Sequence, residues 1–253
     1  MVKKFVLVTR GRTGSTALLD ELGKSSALCT TQELFLRPPF TEFCLEDYYK
    51  LLPPFDLWKQ QRWWRRIPTR YNSDPWQAHR YLKRVETLGR RLGVEGLGWK
   101  VLSHQFNERP FLSELLKKHG YRVIYLRRNF ARQVLSGMVA NQRGIYNSLE
   151  KVVDTRRYHI DIEKFQWHVQ WERECVKNDC VRLAANGFDF IEVSYEGFCA
   201  DRQAFYRDIM NFLKLPLELP PPSSFVKMIE EPRQVIENYD EVMDAVVSLG
   251  EAI

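Results

Sequence analysis

The stretch LVTRGRTGSTALLDEL, residues 7–22, most constrains what this chain can fold into. An apolar run beginning at Lys4 ends at Thr9, and by Ser15 a helix pattern has begun, with apolar residues at positions 18, 19 and 22. The residues between are small, hydroxyl-bearing or cationic. This order predicts a buried strand, a sharp turn and a helix. Backbone N–H groups and the positive helix end then favour an anion at the turn.

The turn does not match the loop GxxxxGK[ST], which binds ATP or GTP phosphates. Counting from Gly11, the second glycine of that loop falls on Thr16 and its lysine on Ala17. The missing lysine argues against ATP. Taken alone, the turn also fits an ordinary capped helix after a strand.

A second turn of the same kind lies in YRVIYLRRNFARQVLSG, residues 121–137. The pattern predicts a strand over Tyr121–Arg127, a basic turn, and a helix from about Phe130 to Gln142. Ser136 follows Arg128 by eight residues, which places it about two helical turns along. Two such junctions in one sheet fit a ligand with two separated phosphate groups.

Strands alternate with helices along the rest of the chain, which predicts βαβ units and a parallel sheet. We therefore expect a P-loop-like, three-layer α/β/α fold in a single domain, residues 1–253, with ligands at the carboxyl ends of the strands. The other predicted strands are 98–102 and 188–193, and the other predicted helices are 41–52, 74–91, 108–119, 161–186, 202–214 and 239–249.

The net charge of +6 and the pI of about 9.0 indicate an anionic partner. The apolar part of the N-terminus is too short for a signal peptide, and no stretch approaches the length of a membrane span, so we expect a cytoplasmic protein. The cysteines are odd in number and scattered, which predicts reduced thiols. The histidines form no metal-ligand spacing, and no metal is expected.

Together these residues resemble the PAPS-dependent sulfotransferases, which use 3′-phosphoadenosine 5′-phosphosulfate. TRGRTGST is similar to their 5′-phosphosulfate loop, and LRRN followed by Ser136 is similar to their 3′-phosphate motif. Further similar segments occur in family order, namely GWK (98–100), VSYE (193–196), FLKLP (212–216) and VIENYDE (235–241). The resemblance is strongest to bacterial carbohydrate sulfotransferases of the nodulation-factor and trehalose type.

The resemblance assigns the donor site residue by residue. It implies that the 5′-phosphosulfate is bound by Arg10, Gly11, Arg12, Thr13, Gly14, Ser15 and Thr16. It implies that Arg128 and Ser136 bind the 3′-phosphate and that Tyr195 approaches the adenine, although a buried core tyrosine is an equal interpretation. Arg12 stands where cytosolic animal sulfotransferases carry lysine. Because a guanidinium does not readily give up a proton, Arg12 is expected to act electrostatically.

The implied reaction is in-line transfer of a sulfuryl group from PAPS to a hydroxyl of a carbohydrate or glycolipid, which needs a base. Glu33, in CTTQELF, is preferred because carbohydrate-type relatives use a glutamate. His104, in KVLSH, is the alternative, although its spacing from Lys100 differs from that of the histidine in animal relatives. Lys100 is expected to point to the sulfate or the acceptor, and a strand-edge lysine is nearly as good an interpretation.

The segment LWKQQRWWRRIPTRY, residues 57–71, carries five cations, three tryptophans and no acidic residue. It lies in residues 38–95, which match nothing in the family and are predicted to form an acceptor-recognition insertion. Membrane-surface contact is a second interpretation, and a helix with solvated arginines is a third. The competing functions are a P-loop-type nucleotide kinase and a nucleic-acid-binding module that uses 57–71. The sequence indicates no obligatory nucleic-acid partner and leaves the oligomeric state open.

Overall fold

The structure, a computed structural model, describes residues 2–38, 51–60, 73–146, 148, 154–227, 229 and 231–251. Its strands are β1 (Lys3–Thr9), β2 (Leu28–Thr31), β3 (Gly96–Leu102), β4 (Arg122–Arg127) and β5 (Phe190–Ser194). Its helices are α1 (Ser15–Leu22), α2 (Phe55–Gln60), α3 (Asp74–Arg91), α4 (Gln105–Glu108), α5 (Phe111–Lys118), α6 (Phe130–Arg143), α7 (Ile162–Ala185), α8 (Tyr195–Ala200), α9 (Arg202–Leu213), α10 (Pro232–Val235) and α11 (Tyr239–Ser248).

The strands form one parallel sheet in the order β2-β3-β1-β4-β5. The chain moves from β1 to one side for β2 and β3, then crosses to the other side for β4 and β5. The carboxyl end of β1 is therefore the topological switch point, where open α/β sheets bind their ligands. The predicted three-layer α/β/α fold with a parallel central sheet is confirmed.

Alternate residues of β1 bury against opposite faces of the sheet, which explains why the strand reads as a continuous apolar run. Val6 and Val8 belong to a core cluster that includes residues of α3 and α5. Phe5 and Leu7 belong to another cluster, formed with α1 and α9. A parallel sheet covered on both faces has this pattern.

A third cluster joins α6, the first half of α7 and α11. The long helix α7 begins where the sequence predicts it to begin. Asp161 is its N-cap, and the Asp161 carboxylate accepts a hydrogen bond from Lys164 N at 3.0 Å. No helix in the described part of the chain has both the length and the apolarity to cross a bilayer.

The structure differs from the predicted elements in a few places. The edge strand β2 was not expected, because a run of four residues at Leu28–Thr31 shows no periodicity. The helix α3 has the predicted bounds, with Ser73 as its N-cap and with Asp74 and Pro75 in its first turn. The short helices α2, α4, α8 and α10 were also missed. The helix predicted at 41–52 falls almost entirely outside the described residues.

Candidate active site

The turn between β1 and α1 is sharp because two of its residues have positive φ angles. Arg12 has φ 65° and Gly14, the N-cap of α1, has φ 81°. Thr9, at the end of β1, holds the turn against β4. Its hydroxyl lies 2.5 Å from the Thr13 hydroxyl and donates to the Leu126 carbonyl at 2.9 Å. Among the described residues no side chain caps the N-terminus of α1, where the N-cap is Gly14. The N–H groups of its first turn are therefore suited to an anion.

Tyr195, the first residue of α8, packs against this turn. A Cβ atom built at Gly14 would lie 2.4 Å from the Tyr195 ring, so the ring rests directly on the glycine. The Arg128 guanidinium carbon lies 4.7 Å from the centre of the same ring. Burial, followed by the nearby Cys199 thiol, raises the Tyr195 pKa to about 12. Tyr195 thus connects the two turns that the sequence singles out.

Arg12 and Arg128 form the cationic part of the site. One Arg128 terminal nitrogen donates to the Arg12 carbonyl at 3.0 Å. The Arg12 guanidinium donates to the Ser136 hydroxyl at 3.3 Å and to the Tyr146 carbonyl. The Arg12 side chain therefore lies with Arg128 and Ser136, in the predicted 3′-phosphate half of the site.

These two charges are poorly compensated. Within the described ranges neither guanidinium forms an ion pair, and the Nε atoms of Arg12 and Arg128 are buried without a hydrogen-bond partner there. Burial, followed by the Arg128 charge, lowers the Arg12 pKa to about 10. Burial also lowers the Arg128 pKa, although the Tyr195 and Glu196 side chains oppose the shift. Desolvated like charges favour the binding of an anion.

Ser136 lies on α6, two turns from the start of the helix, as the sequence predicts. Asn129 is the N-cap, and its side-chain oxygen accepts from Arg132 N at 2.9 Å. This cap fixes the helix start immediately after Arg128. Ser136 is buried with 7% of its surface exposed, and it faces the same cavity as Arg128.

Lys100 and Glu33 form an ion pair at the other end of the site. The Lys100 ammonium lies 2.9 Å from Glu33 Oε1 and donates to the Thr16 hydroxyl at 3.3 Å. Gln105 donates from Nε2 to Glu33 Oε2 at 3.2 Å. Lys100 comes from β3 and Thr16 from the first turn of α1. A carboxylate, a cation and a hydroxyl therefore meet beside the α1 N-terminus.

One cavity of about 630 Å³ contains most of the predicted site residues. Its walls include Gly11, Arg12, Thr13, Gly14, Ser15, Thr16, Glu33, Lys100, Arg128, Ser136 and Tyr195. The structure thus brings together residues that lie within or soon after all five strands and are widely separated in sequence. The described residues contain no group of acidic, histidine and cysteine side chains suited to a metal ion.

Arg10 and His104 lie elsewhere. Arg10 forms an ion pair with Glu172 and lies 3.7 Å from Asp179, in a separate recess of about 380 Å³ that His104 also lines. Burial lowers the Arg10 pKa, but the hydrogen bond and charge of Glu172, together with the charges of Cys175 and Asp179, outweigh burial and raise the pKa. Arg10 is therefore compensated where Arg12 is not, and His104, half-exposed, lies 3.8 Å from the Glu108 carboxylate.

The segment 222–227 forms a wall of the cavity that no sequence motif predicts. Two carboxylates of α1 fix it: Glu21 accepts from Ser223 N at 2.9 Å, and Asp20 accepts from Ser224 N at 2.8 Å. Lys227 lines the cavity at the end of this segment, and Arg132 lines it from α6. These are further cations at a site that already holds two arginines.

Only residues 57–60 of the basic, aromatic segment 57–71 are described, together with the N-terminal part of α2. Trp58 is 4% exposed and packs on Tyr81, with ring centres 5.2 Å apart. Lys59 lies 3.1 Å from Asp56 and 2.9 Å from Asp74. These two side chains stabilise the fold. The remaining tryptophans and all the arginines of the segment lie outside the described residues.

No protein-family model and no curated protein sequence matches this chain. Solved structures that are similar to this chain include sulfotransferases. One from Alicyclobacillus acidocaldarius is 13% identical, with a TM-score of 0.45, over 100% of this chain and 98% of that one. STF9 from Mycobacterium avium is 13% identical, with a TM-score of 0.48, over 98% and 76%. A mouse sulfotransferase complexed with PAP is 12% identical, with a TM-score of 0.42, over 98% and 64%. At these identities the likeness is one of fold.

The contact between Gly14 and Tyr195 gives a test of how tightly the two turns are joined. Gly14→Ala places a Cβ in the Tyr195 ring at a positive φ, and we expect it to lower the free energy of unfolding by about 2–4 kcal/mol. Gly120→Ala is the matched control, because Gly120 has φ 70° with nothing within 4 Å of its added Cβ. Chemical denaturation of both variants measures the difference, and equal losses would contradict the packing of Tyr195 on the turn.

Proposed function

We propose that this protein transfers a sulfuryl group from PAPS to a hydroxyl of a carbohydrate or glycolipid acceptor. The observation that carries the proposal is the pair of buried arginines, Arg12 and Arg128, which line one cavity without an ion-pair partner among the described residues. Two desolvated positive charges side by side cost free energy that a bound anion offsets. A donor with a phosphate group at each end can neutralise the two arginines with one group and bind the α1 N-terminus with the other.

The geometry supports a division of the donor site into two halves. Arg128, Ser136 and Arg12 lie together and are suited to the 3′-phosphate, because guanidinium groups bind phosphate with paired hydrogen bonds. The first turn of α1, with Thr16 and Lys100, is suited to the 5′-phosphosulfate. Tyr195 lies between Gly14 and Arg128, beside the path of the nucleoside.

This division revises the role expected of Arg12. The sequence suggested an electrostatic role at the leaving group, whereas the Arg12 guanidinium lies against Ser136. Lys100 is the cation next to the α1 N-terminus, and we assign to it the stabilisation of negative charge on the leaving phosphate. Glu33, held against Lys100, takes the proton of the acceptor hydroxyl. The acceptor oxygen forms a bond to sulfur as the bond from sulfur to the phosphate oxygen breaks.

The two competing functions have less support from the site. A P-loop-type kinase needs a lysine where this chain has Ala17, and Lys100 approaches from β3 instead. A nucleic-acid-binding module would use 57–71, and the described part of that segment is structural. The proposal also includes three expectations from the sequence: acceptor recognition by 38–95, a peripheral membrane contact and a cytoplasmic location.

The first test uses thermal unfolding with adenosine 3′,5′-bisphosphate, ATP and RNA. We expect the bisphosphate alone to stabilise the protein, by about 2.7 kcal/mol at a hundredfold excess over its Kd. Arg128→Ala should weaken this binding by about ten- to a hundredfold, because a charge-assisted phosphate contact is lost. Arg127→Ala is the matched control, since Arg127 is half-exposed and lies 3.9 Å from Glu192. Stabilisation by ATP or RNA instead of the bisphosphate would overturn the proposal.

The second test concerns the base. Labelled PAPS and a panel of sugars, glycolipids, phenols and alcohols identify the acceptor. We then expect Glu33→Gln to lower kcat by about a hundredfold or more while the Kd for adenosine 3′,5′-bisphosphate changes little. His104→Gln tests the alternative base. Near-normal turnover in Glu33→Gln, with a large loss in His104→Gln, would transfer the role to His104.

A further inference from the structure

Gln105, the first residue of α4, has its amide fixed from both ends. It is 1% exposed, and its Oε1 accepts a hydrogen bond from Leu102 N at 3.3 Å. Because a backbone N–H can only donate, the atom facing it must be the amide oxygen. The amide nitrogen therefore faces Glu33 and donates to Oε2 at 3.2 Å.

Glu33 lies in an irregular segment after β2, so the local backbone does little to fix its carboxylate. Among its contacts with described residues are two side chains from the β3 side, with Lys100 at Oε1 and Gln105 at Oε2. Lys100 is charged and sits on a strand, whereas Gln105 is neutral and sits where that strand ends. Groups that act in catalysis need such support from rigid elements.

The two supports differ in what else they touch. Lys100 also donates to Thr16, in the first turn of α1, so an anion bound at that turn competes with Glu33 for the ammonium. Gln105 has its other end on the Leu102 backbone and is absent from the walls of the cavity. We propose that Gln105 is the positioning residue that keeps Glu33 aimed at the acceptor while Lys100 serves the donor.

This inference rests on Glu33 as the base of the proposed function, and a double-mutant cycle tests it. Gln105→Met keeps the length of the side chain but removes both hydrogen bonds. We expect it to lower kcat about tenfold or more, because a base displaced by about 1 Å loses much of its effect, with little change in KM for PAPS. In the Glu33→Gln background the same substitution should change the residual kcat by less than about twofold.

Gln133→Met is the matched control. Gln133 is 3% exposed and donates to the Glu172 carboxylate at 3.1 Å. Its substitution by methionine therefore removes a similar buried hydrogen bond to a different carboxylate. We expect its effect on kcat to be the same in both backgrounds. Gln105→Asn, which retains a buried amide too short to span both partners, is a second variant should Gln105→Met not fold.

Crystal structures of the variants give a readout that needs no acceptor. In Gln105→Met or Gln105→Asn the Glu33 carboxylate should leave its present position, while in Gln133→Met it should stay within hydrogen-bond distance of Lys100 and Gln105. An unmoved carboxylate, or a loss of kcat equally large in the Glu33→Gln background, would overturn the positioning role alone. Normal turnover in Glu33→Gln would instead overturn the proposed base.

Discussion

The site depends on the pairing of β1 with a parallel strand on each side. Thr9, its last residue, is in register with Leu102 of β3 and with Leu126 of β4. Because parallel strands end at the same edge, the turns that follow these three residues must converge. The Thr9 hydroxyl fixes the convergence by bonding to both Thr13 and the Leu126 carbonyl. Lys100, the α1 N-terminus and Arg128 become neighbours as a result.

Charge then distinguishes the residues that this convergence brings together. Arg10 and Arg12 are two positions apart, but Arg10 is neutralised by Glu172 whereas Arg12 lies beside a second buried arginine. The ion pair of Arg10 stabilises the fold, whereas the adjacent charges of Arg12 and Arg128 favour the binding of an anion. At the opposite end of the cavity Lys100 and Glu33 neutralise each other. The cavity therefore has one electropositive half and one balanced half, an arrangement that fits the proposed donor site beside an acceptor hydroxyl.

The fold could be predicted largely from the sequence, because its signals are local. Each signal lies within a few residues of the element that it determines. Examples are the apolar run that forms β1, the N-cap Asp161 at the start of α7, and the basic turn before the helix that carries Ser136. The short edge strand β2 has no such signal. Much of the site was also predictable, since a strand, a glycine turn and a helix together favour an anion.

The rest of the site depends on contacts between distant parts of the chain. Arg10 is removed from the cavity by Glu172, which lies 162 residues away. Gln105 reaches Glu33 across 72 residues, and nothing in the local sequence distinguishes it from other glutamines. The pairing of Arg12 with Ser136 needs the relative placement of two helices. Such contacts follow from tertiary packing, which the hydrophobic periodicity of the sequence does not predict.

The attachment of segment 222–227 to α1 has a consequence for the newly made chain. The residues that line the cavity extend along the sequence from Gly11 to Tyr239. The buried Glu21 carboxylate of α1 accepts a hydrogen bond from Ser223 N. Synthesis proceeds from the N-terminus, so the turn between β1 and α1 is made well before the segment 222–227 that forms the facing wall. A chain still being synthesised therefore has all five strands before it has the wall that completes the cavity, and any ligand that needs this wall binds only after segment 222–227 has been made.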